Sequence, residues 1–243
     1  MKIIKLNAID STNSYLKQLS KETCLQDETV VLTNRQISGR GQMGNLWLSR
    51  EGQSLTFSMF KAFDRLQIER QFMISMAVSL AIVKALKSLN VPNISIKWPN
   101  DILSANKKIG GILIENVLEG NYVKHSIIGI GLNVNETDFL KLPQASSLKL
   151  ETGKTFFLEE VFQSIVISVF QNLKDLTQKN FEDIKLKYEN ELFQKEKVSV
   201  FETPDGSRFN GIINGVSEIG ELLVETENEG LRKFQLKEVR LIY

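Results

Sequence analysis

The sequence predicts an α+β domain followed by a small all-β module. Three observations carry that reading. A long apolar helix signal spans residues 68–89, strand-like segments take over after Pro92, and from about residue 196 short strands alternate with turn signals. Switches of hydrophobic period between 3.6 and 2 mark helices and strands that pack as layers.

The elements follow in order. Residues 11–21 open with the capping types Ser11, Thr12 and Asn13, then place Tyr15, Leu16 and Leu19 on one helical face. Thr29–Asn34 reads as a buried strand of β-branched residues. A loop with Gly39, Gly41 and Gly44 follows, then a strand around Leu55–Phe60. In the 68–89 helix Phe72, Met76, Leu80, Val83 and Leu86 recur near helical spacing. Ile94 and Ile96 alternate with Ser95 and Lys97 before a Trp-Pro-Asn-Asp turn, and Ile102-Leu103 resumes a strand. The runs Ile109–Leu118 and Val123–Val134, joined by Glu-Gly-Asn-Tyr, form an expected hairpin. Helices fit 158–176 and 181–193. The turn signals Thr-Pro-Asp-Gly, Glu-Ile-Gly-Glu and Asn-Glu-Gly then punctuate a β-barrel-like module. The expected division is 1–194 and 195–243.

Composition narrows the function classes. With 243 residues, 42% of them hydrophobic, a sizeable core is available. A formal net charge of +1 supplies no bulk drive toward nucleic acid, because that affinity comes from many Lys/Arg–phosphate contacts. One cysteine, Cys24, allows neither an intramolecular disulfide nor a thiolate cluster, and one histidine, His125, excludes multi-His metal sites. No apolar run reaches the roughly 18 residues that span a bilayer, and the start lacks the apolar core of a signal peptide. The expectation is a cytoplasmic protein with no nucleic-acid or membrane partner.

Gln36 through Trp47 contains Gly39, Gly41 and Gly44 in a literal G-x-G-x-x-G. A dinucleotide fingerprint must open a helix after a strand, and Asn45–Gln53 shows no helical face. A kinase loop lies between strands, but V-A-I-K, H-R-D and D-F-G are missing. A Walker A loop is absent too: Gly153-Lys154-Thr155 completes one only if residue 148, a leucine, were glycine. Two readings stay open for this segment alone: an anion cradle of backbone N–H groups with Arg40 as a fixed cation, or a surface loop whose glycines merely turn the chain. Three other stretches depart from plain strands. Lys97-Trp98-Pro99-Asn100-Asp101 gathers a cation, an aromatic, an amide and a carboxylate at a strand end. Lys107-Lys108-Ile109-Gly110-Gly111 sets lysine beside paired glycines, and Gly129-Ile130-Gly131-Leu132-Asn133 ends an apolar strand with glycines and an amide. Taken singly, each could be core packing, a solvated hairpin or a buried strand.

Together and in order, these stretches resemble the biotin–protein ligases. The resemblance covers Ser11-Thr12-Asn13, Gln36–Trp47, Lys97–Asp101, Lys108–Glu115 and Gly129–Asn133, with Lys-Trp-Pro-Asn-Asp and Lys-x-Gly-Gly-Ile-Leu-x-Glu the most specific pieces. It implies a mixed sheet with flanking helices and a C-terminal SH3-like β-barrel. It also implies a two-step reaction: biotin and ATP form biotinyl-5′-AMP, and a lysine of a biotin carboxyl carrier domain then takes the biotinyl group. By the same resemblance Ser11, Thr12, Asn13, Gln36, Gly39, Gly41, Gln42, Gly111, Gly129 and Gly131 belong to the biotin side. Arg40 and Lys108 are the catalytic cations, close to the carboxylate and phosphate, and Trp47, Lys97, Asn100 and Asn133 map to the nucleotide side. Mg²⁺ is expected on the ATP phosphates, with Asp101 as its protein carboxylate. Glycines at 110–111 and 129–131 are expected to leave room for the flat body of biotin. Only ten residues precede Ser11, so the form expected is one without an N-terminal DNA-binding domain. A homodimer paired through a strand edge near 123–134 is a further possibility raised by the pattern. A lipoate or octanoate enzyme of the same fold, or a biotin-binding regulator without catalysis, are the alternatives.

One departure has a kinetic consequence. Where the family's loop often reads G-R-G-R-x-G-R-x-W, Gln42 and Asn45 replace two arginines, leaving Arg40 as the loop's one guanidinium. Fewer charge-assisted bonds to the phosphate imply weaker retention of the adenylate. Biotinyl-AMP is therefore expected to escape faster from the parent protein than from a variant carrying Gln42→Arg and Asn45→Arg. Filter retention or stopped-flow release at equal rates for the two proteins would refute this.

Overall fold

The structure, a computed structural model, describes residues 1–140, 142–174 and 176–243, with the backbone only for Met43. In chain order its elements are β1 (Lys2–Ile9), α1 (Thr12–Glu22), β2 (Thr29–Gln36), β3 (Ser54–Gln67), α2 (Phe72–Ser88), β4 (Ile94–Lys97) and β5 (Asp101–Ser104). Then come β6 (Lys107–Glu119), β7 (Tyr122–Asn133), α3 (Leu148–Thr152), α4 (Leu158–Leu173) and α5 (Phe181–Asn190). The last five are β8 (Val198–Glu202), β9 (Arg208–Val216), β10 (Leu222–Thr226), β11 (Gly230–Phe234) and β12 (Arg240–Ile242).

Local chemistry sets the helix starts. Ser11 caps α1 by accepting from Ser14 N, Ser147 caps α3 from Leu150 N, and Asn180 caps α5 from Glu182 N. Gly153, at φ 71°, ends α3 in the left-handed conformation that glycine adopts without a Cβ penalty. The second expected C-terminal helix, 181–193, stops at Asn190 instead. Beyond it the chain leaves the helix to bond β4: Ile96 N donates to Glu191 O and Phe193 N to Ile96 O. The first ends at Leu173, and Asp175, within its expected span, lies outside the described residues. Two elements were not anticipated. β1 takes its place through parallel pairing with β2, a non-local contact, and α3 is a single short turn.

The larger sheet runs β1-β2-β3-β7-β6-β5-β4, with β1 and β2 parallel and every other pairing antiparallel: a mixed sheet, as expected. β7 pairs on both sides, with β3 and β6, so residues 123–134 are central rather than an edge open to a second subunit.

Side chains alternate between the two faces of each strand. One face, carrying Leu55, Phe57, Ile112, Ile128, Ile130 and Leu132, packs with α2 and α4 into the main core. The other carries Val31, Phe60 and Ile127 against Leu16 of α1. The stretch Ile68–Ser88 is long and apolar enough to cross a membrane by length and composition, which no segment was expected to be. Burial accounts for it: Met73, Ile74, Met76, Val78, Ala81, Ile82 and Leu86 all lie inside the protein, as in a helix apolar on every side.

The second sheet is antiparallel, ordered β11-β10-β9-β8-β12, with no pairing between β11 and β12 among the described residues. It packs on the main sheet through residues near the Trp98-Pro99 turn. Trp98 Nε1 donates to Gly220 O at 2.9 Å, and a Cβ at Gly220 would meet the Phe72 ring at 2.4 Å.

Phe162 of α4 is fully buried, its ring edge-on to Phe57 at 5.1 Å. Removing it leaves a cavity where α4 meets the sheet. Phe162→Ala should lower stability by about 3–5 kcal/mol, read from the denaturation midpoint; a loss below about 1 kcal/mol would mean the site collapses around the gap.

Candidate active site

Strand register builds the site. Thr33, Thr56, Gly131, Gly111, Asp101 and Lys97 are successive cross-strand partners from β2 through β3, β7, β6 and β5 to β4. Partners in a rank share a face, so this row lies on the α1 side of the sheet. The adjacent rank on that face is Ser58, Gly129 and Leu113. Glycine at three central positions leaves bare backbone where side chains from other elements can lie flat.

That floor opens into a cleft of about 320 Å³, of the size that holds small ligands. Its walls bring together Ser11, Thr12, Asn13, Gln36, Arg40, Gly41, Gln42, Trp47, Lys97, Asn100, Asp101, Lys108, Gly111, Gly129 and Gly131. Residues from positions 11 to 131 thus line one cleft. Two expected members stand behind the wall. Gly39 packs against Gln36 and the Trp47 carbonyl, and Asn133 is buried with its amide donating to Ser146 O at 3.0 Å. The connection from β11 to β12 contributes Leu236, Lys237 and Val239, and β12 itself Arg240 and Leu241, none of which the sequence singled out.

At one end lies a neutral polar cluster. Gln36 Oε1 accepts from Thr12 N at 2.9 Å and from Thr12 Oγ1 at 3.1 Å, which leaves the Gln36 NH₂ group as a donor. Ser58 Oγ stands 2.7 Å from Thr12 Oγ1 and 2.5 Å from Asn13 Oδ1. Asn13 Nδ2 donates to Glu115 Oε2 at 3.0 Å. Ser58 bonds directly to Thr12 and Asn13, and Glu115 to Asn13; neither drew a role from the sequence alone.

Glu115 in turn holds two cations, Arg40 at 2.7 Å and Lys17 at 2.9 Å. Burial pushes its carboxyl pKa up, but hydrogen bonds from Lys17 and Asn13 and the Arg40 charge prevail and hold it below the ordinary value. At the other end Lys108 Nζ pairs with Asp101 Oδ1 at 2.6 Å, and Lys97 Nζ lies 3.9 Å from Asp101 Oδ2. Burial lowers the Lys97 pKa; Asp101 opposes that, and the Lys108 and Arg240 charges add to it. The cleft therefore presents hydroxyl and amide groups at one end, Arg40 held beside them by Glu115, and Lys97 and Lys108 at the other end, an arrangement suited to an elongated molecule with an anionic end. Among the described residues that line the cleft, Asp101 is the one carboxylate. A divalent ion bound through substrate phosphates commonly uses one or two carboxylates, so Asp101 fits that role as a single ligand.

The glycine floor is not open space, contrary to expectation. A Cβ at Gly129 would lie 2.3 Å from Asn13 Oδ1, and one at Gly131 would lie 2.2 Å from the Trp47 ring. The indole also covers Gly111, with Lys108 Nζ 5.7 Å from its centroid. Its buried Nε1 has no hydrogen-bond partner. The loop that carries it folds back on itself through Gly41 N to Asn45 O at 2.7 Å and Trp47 N to Gly39 O at 2.8 Å.

The sequence profile described as the Biotin/lipoate A/B protein ligase family matches residues 6–133. The chain belongs to that family. A relative from Bacillus subtilis, the bifunctional ligase/repressor BirA, is 30% identical over 244 residues, covering 98% of this chain and 74% of its own length. The human biotin–protein ligase is 32% identical over 133 residues, 53% of this chain and 18% of its own. Among solved structures, the biotin protein ligase of Aquifex aeolicus in complex with biotin and ATP superposes with a TM-score of 0.80 at 30% identity, covering 99% of this chain and 98% of that one. The matched stretch contains every strand of the glycine floor.

A flat apolar body laid along Gly111 and Gly131 has to displace the indole. Biotin is therefore expected to change the intrinsic fluorescence of the protein, and Trp47→Phe should abolish the change while Trp98 still emits. An unaltered spectrum on saturation would show that the ligand binds without moving Trp47.

Proposed function

We propose that this chain is a biotin–protein ligase that adenylates biotin with ATP and passes the biotinyl group to a carrier lysine. The observation that carries the proposal is the convergence of Arg40 and Lys108 on one cleft, between the neutral donors of residues 11–13 and 36 and the Lys97–Asp101 segment. The ureido group of biotin suits the neutral end, where hydroxyls and amides can satisfy its carbonyl and N–H groups. Its valerate carboxylate then points toward the cations.

The first step joins two anions. A carboxylate oxygen attacks the α-phosphorus, the bond to the bridging oxygen of the β-phosphate breaks, and pyrophosphate leaves with the electron pair. Cations fixed beside the reacting atoms offset the repulsion and the charge that builds on phosphorus. Arg40 presents a planar guanidinium that can bind two oxygens at once, while Lys108 acts as a compact second charge. Both are held by carboxylates, Glu115 and Asp101, which the incoming phosphate and carboxylate must compete with. Lys97, Asn100 and Trp47 face the nucleotide in this reading, and Asp101 would hold Mg²⁺ carried in with ATP, which neutralises phosphate charge. In the second step an uncharged lysine amine of the carrier attacks the mixed anhydride. An amide bond forms, AMP leaves, and the amine gives up its proton.

The carrier proposed is the biotin carboxyl carrier domain of a biotin-dependent carboxylase, met in the cytoplasm. Residues 1–194 form the catalytic domain and 195–243 an SH3-like module that closes the nucleotide end of the cleft. The Aquifex protein's complex with biotin and ATP, and the ligase names of the relatives, support biotin over lipoate.

Biotin-dependent ATP–pyrophosphate exchange tests the first step, with lipoate and octanoate run in parallel. Exchange with biotin alone is expected. Arg40→Ala and Lys108→Ala should each slow it by about 10²–10³, the cost of removing one donor to a developing charge. Exchange with lipoate alone would replace the substrate, and none with any acid would leave only a binding role.

A further inference from the structure

Tyr243 follows β12 in the second sheet, yet its ring lies beside Lys97, which lines the main domain's cleft. Lys97 Nζ sits 5.2 Å from the ring centroid. Two contacts on other elements fix the ring there. Gln144 Nε2 donates to the Tyr243 main-chain oxygen at 3.0 Å, and Phe193 meets the ring at 5.0 Å with planes at 65°. Pairing of β12 with β8 anchors the approach.

Lys97 needs such a neighbour. Its ammonium is mostly removed from water and faces two like charges, Lys108 and Arg240. Among the described residues one carboxylate pairs with Lys97, and it is shared unequally: Asp101 gives its close oxygen to Lys108 at 2.6 Å and stands 3.9 Å from Lys97. An aromatic face is attractive to a cation through its quadrupole, most strongly where water is excluded. Unlike a second carboxylate, it would not repel an incoming polyphosphate.

We propose that Tyr243 is a positioning residue for Lys97, holding the ammonium by its ring face so that it stays directed to the nucleotide side of the cleft. The second sheet thereby contributes to ATP use through a residue outside the shared motifs. Lys97 opens the Lys-Trp-Pro-Asn-Asp stretch, but Tyr243 belongs neither to that stretch nor to the glycine loop. The inference rests on the nucleotide-side role of Lys97 proposed above, and the variants below separate the two.

Pyrophosphate exchange is measured while ATP and biotin are varied independently, in the full chain and in Tyr243→Phe, Tyr243→Leu, Tyr243→Ala, Lys97→Met and the Lys97→Met/Tyr243→Ala double variant. Where exchange is too slow, the rise in Tm produced by ATP gives the same comparison. Tyr243→Leu and Tyr243→Ala should raise KM for ATP by roughly three- to thirty-fold, the span of a cation–π contact, with KM for biotin unchanged. Tyr243→Phe should stay close to the parent, because it keeps the ring face. On the Lys97→Met background, Tyr243→Ala should add nothing. An unchanged KM for ATP, equal losses for both substrates, leucine performing like phenylalanine, or a full Tyr243→Ala effect without Lys97 would each overturn the proposal. If Lys97→Met leaves ATP use intact, the role of Lys97 falls and the inference with it. If Lys97→Met weakens ATP use and Tyr243→Ala does not, only the inference falls.

Discussion

Everything at the site depends on a strip of sheet that carries no side chains. Gly111, Gly129 and Gly131 stand on the central strands β6 and β7, where an ordinary sheet would project residues that pack against α1. A single methyl at Gly131 or Gly129 would overlap Trp47 or Asn13 at less than van der Waals contact. Glycine in a strand interior weakens it by lost packing and added chain entropy. That cost is offset because both strands are paired on both sides along this stretch and their other face is deep in the core. The helical layer behind the sheet is what permits a bare front.

Charge is the second constraint, and it is managed by sharing. Two carboxylates, Glu115 and Asp101, serve four cations, Arg40, Lys17, Lys108 and Lys97. A cleft that must receive anionic molecules gains nothing from complete neutralisation of its own cations. Partial pairing keeps the side chains ordered while leaving net positive charge. Lys17, Arg40 and Lys108 keep part of their side chains in water, which screens their pairs, and exposed ion pairs contribute about 0–1 kcal/mol, so the value of these pairs lies in orientation more than in stability.

The sequence made much of this legible and some of it not. The hairpin of β6 and β7, the long core helix and the Trp98-Pro99 turn followed from period and punctuation, and the segments at 11–13, 36–47, 97–101 and 108–131 do share one cleft. β1 was unreadable because Lys-Ile-Ile-Lys-Leu-Asn lacks clean alternation, and its strand character comes from parallel pairing with β2. Ser58 is a small residue within the apolar run of β3; only the register that sets it beside Gly129 reveals its contact with Thr12 and Asn13. Glu115 and Arg40 are 75 positions apart, and local spacing carries no signal for such a pair. Gly39 and Asn133 illustrate the converse. Both belong to a recognisable stretch, yet one supports the loop from behind and the other ties β7 to the segment before α3.

Trp47 covers the floor with the protein's own apolar surface. The site therefore does not offer a large dry patch to water, and part of the hydrophobic gain of binding is already realised internally. An entering ligand exchanges one apolar cover for another, and its apparent affinity is reduced by the fraction of molecules in which the indole stands aside. A ligand that merely fills the space recovers little from that exchange. One that also satisfies Gln36, Arg40 and Lys108 gains interactions the indole cannot make, so the cover works as a threshold that discriminates by polar contacts rather than by shape alone.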